Sequence, residues 1–284
     1  PGSARGRPRD ISTGPGQGRR LACGRTREAA SPAGGRYTVG SLIKANRHLP
    51  LYLSAPHDCS YLPDRQSSTL FADPEQAMDM ATYSELLHYG FRRSGKMVYT
   101  PRCENCRECV SVRVPVADFS PRRSQRRVLQ ANADIEMREH PAAFNPQHYA
   151  LYQRYTAARH EDGDMADASS EDYLGFLCAP WCDTRFFEFH IGGRLVAVAV
   201  TDMPADGLSA VYTFFDPELA PRSLGTFAIL RQIAHAQALG LPYLYLGYWI
   251  RDSRKMAYKV NFRPIELWRE GQWRRLEPSD PLPI

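Results

Sequence analysis

At 284 residues, 43% hydrophobic and 24% charged, the chain has the composition of an ordinary globular protein, long enough for one large core or two smaller ones. Its net charge of +5 is unevenly spread, because residues 1–36 hold eight arginines against only Asp10 and Glu28; the remainder is near neutral, so a global basic field is excluded as a basis for nucleic-acid binding. No run of about 18 apolar residues offers a membrane span, and seven cysteines, three of them within seven residues, argue against a secreted disulfide framework and for reduced thiols in a cytosol.

Residues 1–36 are rich in Gly, Pro, Ser and Arg and are expected to be disordered. With no initiating Met and no apolar h-region, this head reads as neither a signal peptide nor a membrane anchor, and as a candidate non-native extension. An N-terminal domain with the cysteine cluster is expected over 37–130, and a second domain over 131–284. After the loop CSYLPDRQS (59–67), Asp73 with Pro74 offers an N-cap and N1 pair, and MATYSELLHYG a helix that stops near Gly90. Val110, Val112, Val114 and Val116 alternate with Ser111, Arg113 and Pro115 as a half-buried strand. Ser120 with Pro121 opens a helix whose first turns carry Arg122, Arg123, Arg126 and Arg127, a basic face.

Asn145 with Pro146 caps a helix through YALYQRYTAARH, and Ser169 or Ser170 caps a short one ending before Pro180. TRFFEFHI and RLVAVAVTDM flank Gly192-Gly193, a two-residue hairpin turn, and Asp206-Gly207 leads into LSAVYTFF. A helix from Ser223 to Leu239, closed by Gly240, precedes an aromatic segment, Tyr243–Trp249, apolar on both faces and so read as a central strand. A hairpin sheet, a helix and one more strand is the order of an α/β (α+β) acyltransferase fold of the acetyltransferase (GNAT) type, with a largely antiparallel or mixed sheet and room for two related halves.

Chemistry concentrates in three places. Past Trp249, the cations Arg251, Arg254, Lys255, Lys259 and Arg263 interleave with Tyr258 and Phe262, a mixture suited to neutralising phosphates and stacking bases. GFRRSGKMVYTP (90–101) sets Arg92, Arg93 and Lys96 around Ser94 and Gly95, with Tyr99 beyond, where a glycine permits close backbone approach and the cations suit a phosphate or carboxylate. Cys103, Cys106 and Cys109, with Cys59 upstream, have a spacing at which thiolates can converge on zinc or an iron–sulfur cluster; reduced thiols packed near a strand end are the alternative. PRSLGTF (221–227) resembles the pyrophosphate loop of CoA-dependent acetyltransferases, but Phe227 stands where a small residue is needed. His88 and His160 read as structural. Serine-hydrolase elbows, Walker loops and HExxH are absent from the sequence.

CSYLPDRQS, GFRRSGKMVYTP, CENCREC, YALYQRYTAARHEDGDM and above all YLYLGYWIRDSRKMAYKVNFRP resemble the aminoacyl-tRNA-protein transferase family, whose Tyr-Ile, Lys-Met, Tyr-Lys signature is matched at Trp249-Ile250, Lys255-Met256 and Tyr258-Lys259. The cysteine triplet and the WIRDSRKM wording are similar to its bacterial, leucyl-transferring branch. The resemblance implies a cytoplasmic enzyme that moves leucine from leucyl-tRNA to proteins beginning with Asp or Glu, marking them for degradation. It also implies substrate contacts among Arg92, Arg93, Ser94, Gly95, Tyr99, Tyr248, Arg251, Lys255, Tyr258 and Lys259, with Tyr99, Tyr248 and Tyr258 stacking on the terminal adenine or donating hydrogen bonds. Leu62 replaces the second cysteine of the arginyl-transferring pattern and Ser253 stands at a position often Cys there, so a metal site at Cys59, Cys103, Cys106 and Cys109 does not carry over whole. A CoA-dependent N-acetyltransferase and a non-catalytic metal-knuckle RNA-binding protein are the rival readings.

Overall fold

The computed structural model describes residues 37–44, 47–159 and 169–282; the basic head and His160 lie outside them. In chain order the elements are β1 (Tyr37–Lys44), β2 (Arg47–Leu53), the short pair β3 (His57–Asp58) and β4 (Gln66–Ser67), β5 (Thr69–Ala72), α1 (Met80–His88), β6 (Arg92–Ser94), β7 (Met97–Pro101) and β8 (Val110–Pro115). Then follow α2 (Arg123–Ala131), β9 (Ile135–Pro141), α3 (Pro146–Arg159), α4 (Ser170–Leu177), β10 (Thr184–Ile191), β11 (Arg194–Asp202), β12 (Gly207–Phe215), α5 (Leu224–Ala238), β13 (Tyr243–Trp249), β14 (Ile265–Arg269) and β15 (Gln272–Leu276). Among the described residues no helix is long and apolar enough to cross a membrane.

Two sheets carry the fold: a five-stranded one in the order β1-β2-β5-β7-β6 and an eight-stranded one in the order β15-β14-β8-β13-β12-β11-β10-β9. β8, from the first half of the sequence, sits inside the larger sheet between β14 and β13. Pairing there is antiparallel except between β12 and β13, which α5 connects as a crossover, because parallel neighbours need a long return path. Gly192 and Gly193, both at positive φ, turn β10 into β11 as their sequence requires.

The larger sheet is covered on both faces. Phe187, Phe189, Ala197 and Leu244 pack with Phe227, Leu230 and Ile233 of α5, while Phe186, Val198, Val200 and Phe214 pack with Leu151, Tyr152, Tyr173 and Leu177 of α3 and α4. Each of the Val, Leu, Ile and Phe side chains contributes about 1.5–3 kcal/mol by leaving water. The smaller sheet buries Leu51, Leu70 and Val98 against Leu86 and Leu87 of α1, and Tyr245 of β13 joins that cluster.

Three expectations shift. α1 starts at Met80 with Asp79 as its cap, the carboxylate accepting from Thr82 N at 2.8 Å; Asp73 instead closes a turn on Glu75 N. α2 begins two residues beyond Pro121, where Gln125 Oε1 accepts from Arg122 N. The valine strand is buried on both faces, because its polar side is roofed by the chain's other parts. There Ser111 donates to Gly90 O, and Arg113 pairs with Glu266 at 2.7 Å between the rings of Tyr243 and Trp273.

Candidate functional site

A cleft of about 740 Å³ opens where the two central strands part. β12 and β13 pair only over Gly207–Ser209 and Tyr243–Tyr245. Beyond that β12 continues along β11 while β13, after a register shift between Tyr245 and Gly247, follows β8. The wedge leaves backbone groups of two adjacent strands without each other as partners. Arg92, delivered by β6 of the smaller sheet, fills that position and donates from Nη2 to Val211 O at 3.3 Å. Gly247 makes room for it: its φ is +73°, and a Cβ there would lie 2.7 Å from Arg92 Nη1.

Arg92 forms the floor of the cleft, half-buried, with its guanidinium carbon 5.8 Å from the Tyr248 ring centre and its Nε without a partner among the described residues. Lys259 lies beside it, only 5% exposed, donating from Nζ to Tyr248 O at 2.7 Å. Burial first, and the Arg92 charge second, push the Lys259 amine well below the ordinary lysine value, with Cys109 acting weakly the other way. The cleft thus sets a fixed cation next to an amine that gives up its proton more readily than an ordinary lysine. Tyr61, Tyr99, Tyr155, Tyr212 and Tyr258 line its walls, and Arg254 and Lys255 also border it. Such a chamber can hold an anionic group, stack a base and receive a proton.

The sequence-selected residues divide accordingly. Arg92, Ser94, Tyr99, Lys255, Tyr258 and Lys259 meet at the cleft. Arg93 borders it but turns inward: it is 1% exposed and is spent on Asp202, Leu177 O, Thr184 and Gly95 O. Its guanidinium is therefore a core tie, not a free fork. Gly95 does permit a close backbone approach, but by the end of α4, where Phe176 O accepts from Gly95 N at 2.8 Å. Tyr248 is fully buried and its hydroxyl donates to Tyr99 O at 2.9 Å, so it braces β7 and cannot stack on a base. Arg251 is not among the lining residues.

Cys59, Cys103, Cys106 and Cys109 fall in one neighbourhood. Burial first, then the other three cysteines, push the Cys109 thiol up to about 12, which holds it as a thiol near neutrality. Among the described residues no group of three or more His, Cys, Asp or Glu is disposed to hold a metal ion. As placed, the quartet does not fit a zinc or iron–sulfur ligand set.

Sequence reading missed Tyr61, Tyr155, Tyr212 and Arg159 as lining residues. Arg159 ends α3 over the Phe215 ring at 5.2 Å, and its only sequence signal was a place in a motif-bearing helix. The PRSLGTF segment does reach the site, through Ser223, Gly225 and Thr226 at the start of α5. Phe227 turns into the core, 5.7 Å from Phe189, so the reason given for disfavouring a pyrophosphate does not hold.

The chain matches the family model described as "Arginine-tRNA-protein transferase, N terminus" over residues 57–127 and that described as "Arginine-tRNA-protein transferase, C terminus" over residues 147–269. It is 52% identical over 234 residues to a protein of Chromohalobacter salexigens named aspartate/glutamate leucyltransferase, covering 82% of this chain and 95% of that one. It is 51% identical over 229 residues to a protein of the same name from Nitrosococcus oceani, covering 80% and 96%. A solved structure of L-PGS from Bacillus licheniformis overlaps 54% of this chain and 50% of its own at a TM-score of 0.40 and 13% identity, too weak a likeness to bear on fold or function.

Proposed function

Because the chain belongs to the arginine-tRNA-protein transferase family, we propose that it moves leucine from leucyl-tRNA to the α-amine of proteins that begin with Asp or Glu, a cytoplasmic step that marks them for degradation. It is an aminoacyltransferase. The observation that carries the acidic preference is Arg92 at the floor of a tyrosine-lined cleft, with its Nε without a partner among the described residues.

The donor ester is already activated, so the reaction needs no covalent catalyst. The attacking α-amine has an ordinary pKa of about 7.7–8.0 and is partly neutral near pH 7. Attack on the ester carbonyl makes a new C–N bond and a tetrahedral oxyanion. Its collapse breaks the ester C–O bond, and the ribose oxygen leaves with a proton. Holding amine and ester in contact and stabilising the oxyanion can each supply several kcal/mol.

In our reading Arg92 takes the side-chain carboxylate of the acceptor's first residue, a charge-assisted contact that fixes its amine against the ester. Lys259, whose amine is shifted toward the neutral form by its burial, takes the proton that the attacking amine sheds. Tyr258, 41% exposed at the mouth, and Tyr99 stack on or hydrogen-bond the terminal adenosine, and Lys255 with Arg254 holds nearby phosphates. Ser94 borders the same wall. The test is a panel of charged tRNAs against peptides beginning with Asp, Glu, Arg or Ala, read by mass spectrometry. Leucine on Asp- and Glu-peptides is expected. Transfer from arginyl-tRNA without transfer from leucyl-tRNA would overturn the donor, and acetyl transfer from acetyl-CoA insensitive to ribonuclease would overturn the class.

A further inference from the structure

The cleft accounts for the tip of a charged tRNA but not for the helix α2 beside it. Arg122, Arg123, Arg126 and Arg127 are all exposed, and among the described residues no carboxylate pairs with any of them. Their spacing of i, i+1, i+4 and i+5 places them on one side of the helix end. The opposite side, with Gln125, Val128 and Leu129, faces the protein body. Arg122 at the N-cap and three arginines on the nine helical residues, none of them neutralised by a carboxylate among the described residues, form a local positive field on a body whose net charge is near zero.

This field is fixed to the cleft. Gln125 Nε2 donates to Asn261 O at 3.0 Å, tying α2 to the turn that carries Tyr258 and Lys259. Asn132 Nδ2 donates to Arg222 O at 2.9 Å, tying its far end to the approach to α5. Between these anchors runs a groove of about 170 Å³ whose lining includes Arg122, Gln125, Thr226 and Tyr258. Thr226 and Tyr258 also line the cleft, so the groove and the cleft share a wall.

Resting on the transferase reading above, we propose that the arginine face of α2 is the docking surface for the acceptor-stem phosphates of aminoacyl-tRNA, with the single-stranded 3′ end lying along the groove into the cleft. An ester buried in the cleft drags a polyanion behind it, one charge per nucleotide, and that backbone must cross whichever surface borders the mouth. α2 borders the mouth and carries the charge sign required. Recognition is of phosphate positions and not of base edges, so it serves any tRNA that bears the right amino acid.

Arg123→Glu/Arg127→Glu is the informative variant, since neither side chain lines the cleft or makes a hydrogen bond or ion pair among the described residues, and an acidic group near a helix N-terminus does not oppose folding. Dissociation constants for leucyl-tRNA are measured between 50 and 200 mM salt, alongside kcat at saturating tRNA and KM for an Asp-peptide. The expected result is affinity weaker by on the order of tenfold and a log–log salt slope smaller by about 2, with thermal melting, kcat and peptide KM unchanged. Wild-type affinity and slope in the variant would overturn the surface, and a raised KM for an acidic acceptor protein with unchanged tRNA binding would assign α2 to the acceptor instead. If the unaltered enzyme neither binds nor consumes leucyl-tRNA, the transferase reading fails first, and the two failures are thereby distinguishable.

Discussion

Arg92 and Arg93 are adjacent in sequence, and replacing each with Ala is expected to produce opposite phenotypes. Arg93 Nε and Nη2 reach the two oxygens of Asp202 at 2.7 and 2.5 Å, and both side chains are fully buried. Nη2 also donates to Leu177 O and Thr184 Oγ1, each at 2.9 Å. Arg93→Ala leaves Asp202 buried with no cation beside it and only neutral donors, among them Tyr83, Thr184 and the Cys182 thiol, and removing one partner of such a pair costs about 3–5 kcal/mol. With an unfolding entropy of about 0.5 kcal/mol/K for roughly 240 folded residues, that corresponds to a melting temperature lower by about 6–10 °C. Arg93→Met/Asp202→Leu, which removes both charges, should recover most of the loss. Calorimetry of the three proteins, with the Asp-to-Ala peptide preference measured well below the melting range, checks this. Arg92→Ala should instead melt within a degree or two of wild type and lose about 1.5–3 kcal/mol of discrimination for Asp over Ala, the worth of a hydrogen bond to a charged group. The reasoning is refuted if Arg93→Ala keeps its melting temperature and loses the acidic preference.

Gly247→Ala puts a methyl group 2.7 Å from Arg92 Nη1 in a backbone at φ +73°, so it should lower kcat/KM for Asp-peptides like an Arg92 variant while leaving tRNA affinity near normal; normal kinetics would show that Arg92 has slack. The depressed Lys259 pKa means that folding releases a proton from this side chain, so its contribution to stability rises with pH up to the unfolded value of about 10.4. Lys259→Met should therefore be more stable than wild type near neutrality, with the gap narrowing as pH rises, and should lose transfer activity; a gap independent of pH would mean the amine is charged in the fold. His148, held low chiefly by burial although Glu188 contacts it at 2.6 Å, should destabilise the protein as pH falls through about 6.5, the unfolded value, because the unfolded chain then binds the proton more readily. Glu188 itself is held low, against its burial, by hydrogen bonds from His190 and His148, so its share of stability is lost only at more acid pH. Urea midpoints from pH 8 to pH 4 for wild type and His148→Gln test this, and parallel curves would reject it.

The second half of the fold was legible because each element there carries its own punctuation. Asn145, Ser169, Gly192-Gly193 and Gly240 stop or start elements within a residue or two of where the chain does so. The first half was less so, because Asp73-Pro74 and Ser120-Pro121 are equally good turn formers, and the choice depends on what the following residues bury. The burial of β8 on both faces could not be read from its alternation, since Ser111 and Arg113 are polar and still interior, satisfied by groups far along the chain. The same limit applies to the site. A basic, aromatic segment announces binding, yet whether Arg92 or its neighbour faces the cleft depends on the register of a three-residue strand against β7 and on the partner that Asp202 supplies from β11.

The parting of β12 and β13 has a consequence for how specificity can be inherited. The wedge belongs to the larger sheet, yet the guanidinium that occupies it and the nearby Tyr61 and Tyr99 come from the segment before β8. With Arg92 as the proposed reader of the acceptor, acceptor choice and catalytic scaffold are encoded in separate stretches of one gene. Recombination between relatives at a junction near residues 102–109 would exchange the acceptor filter as a block and leave the cleft's other walls intact. New N-terminal preferences can then arise by swapping a module, without redesign of the reaction chamber.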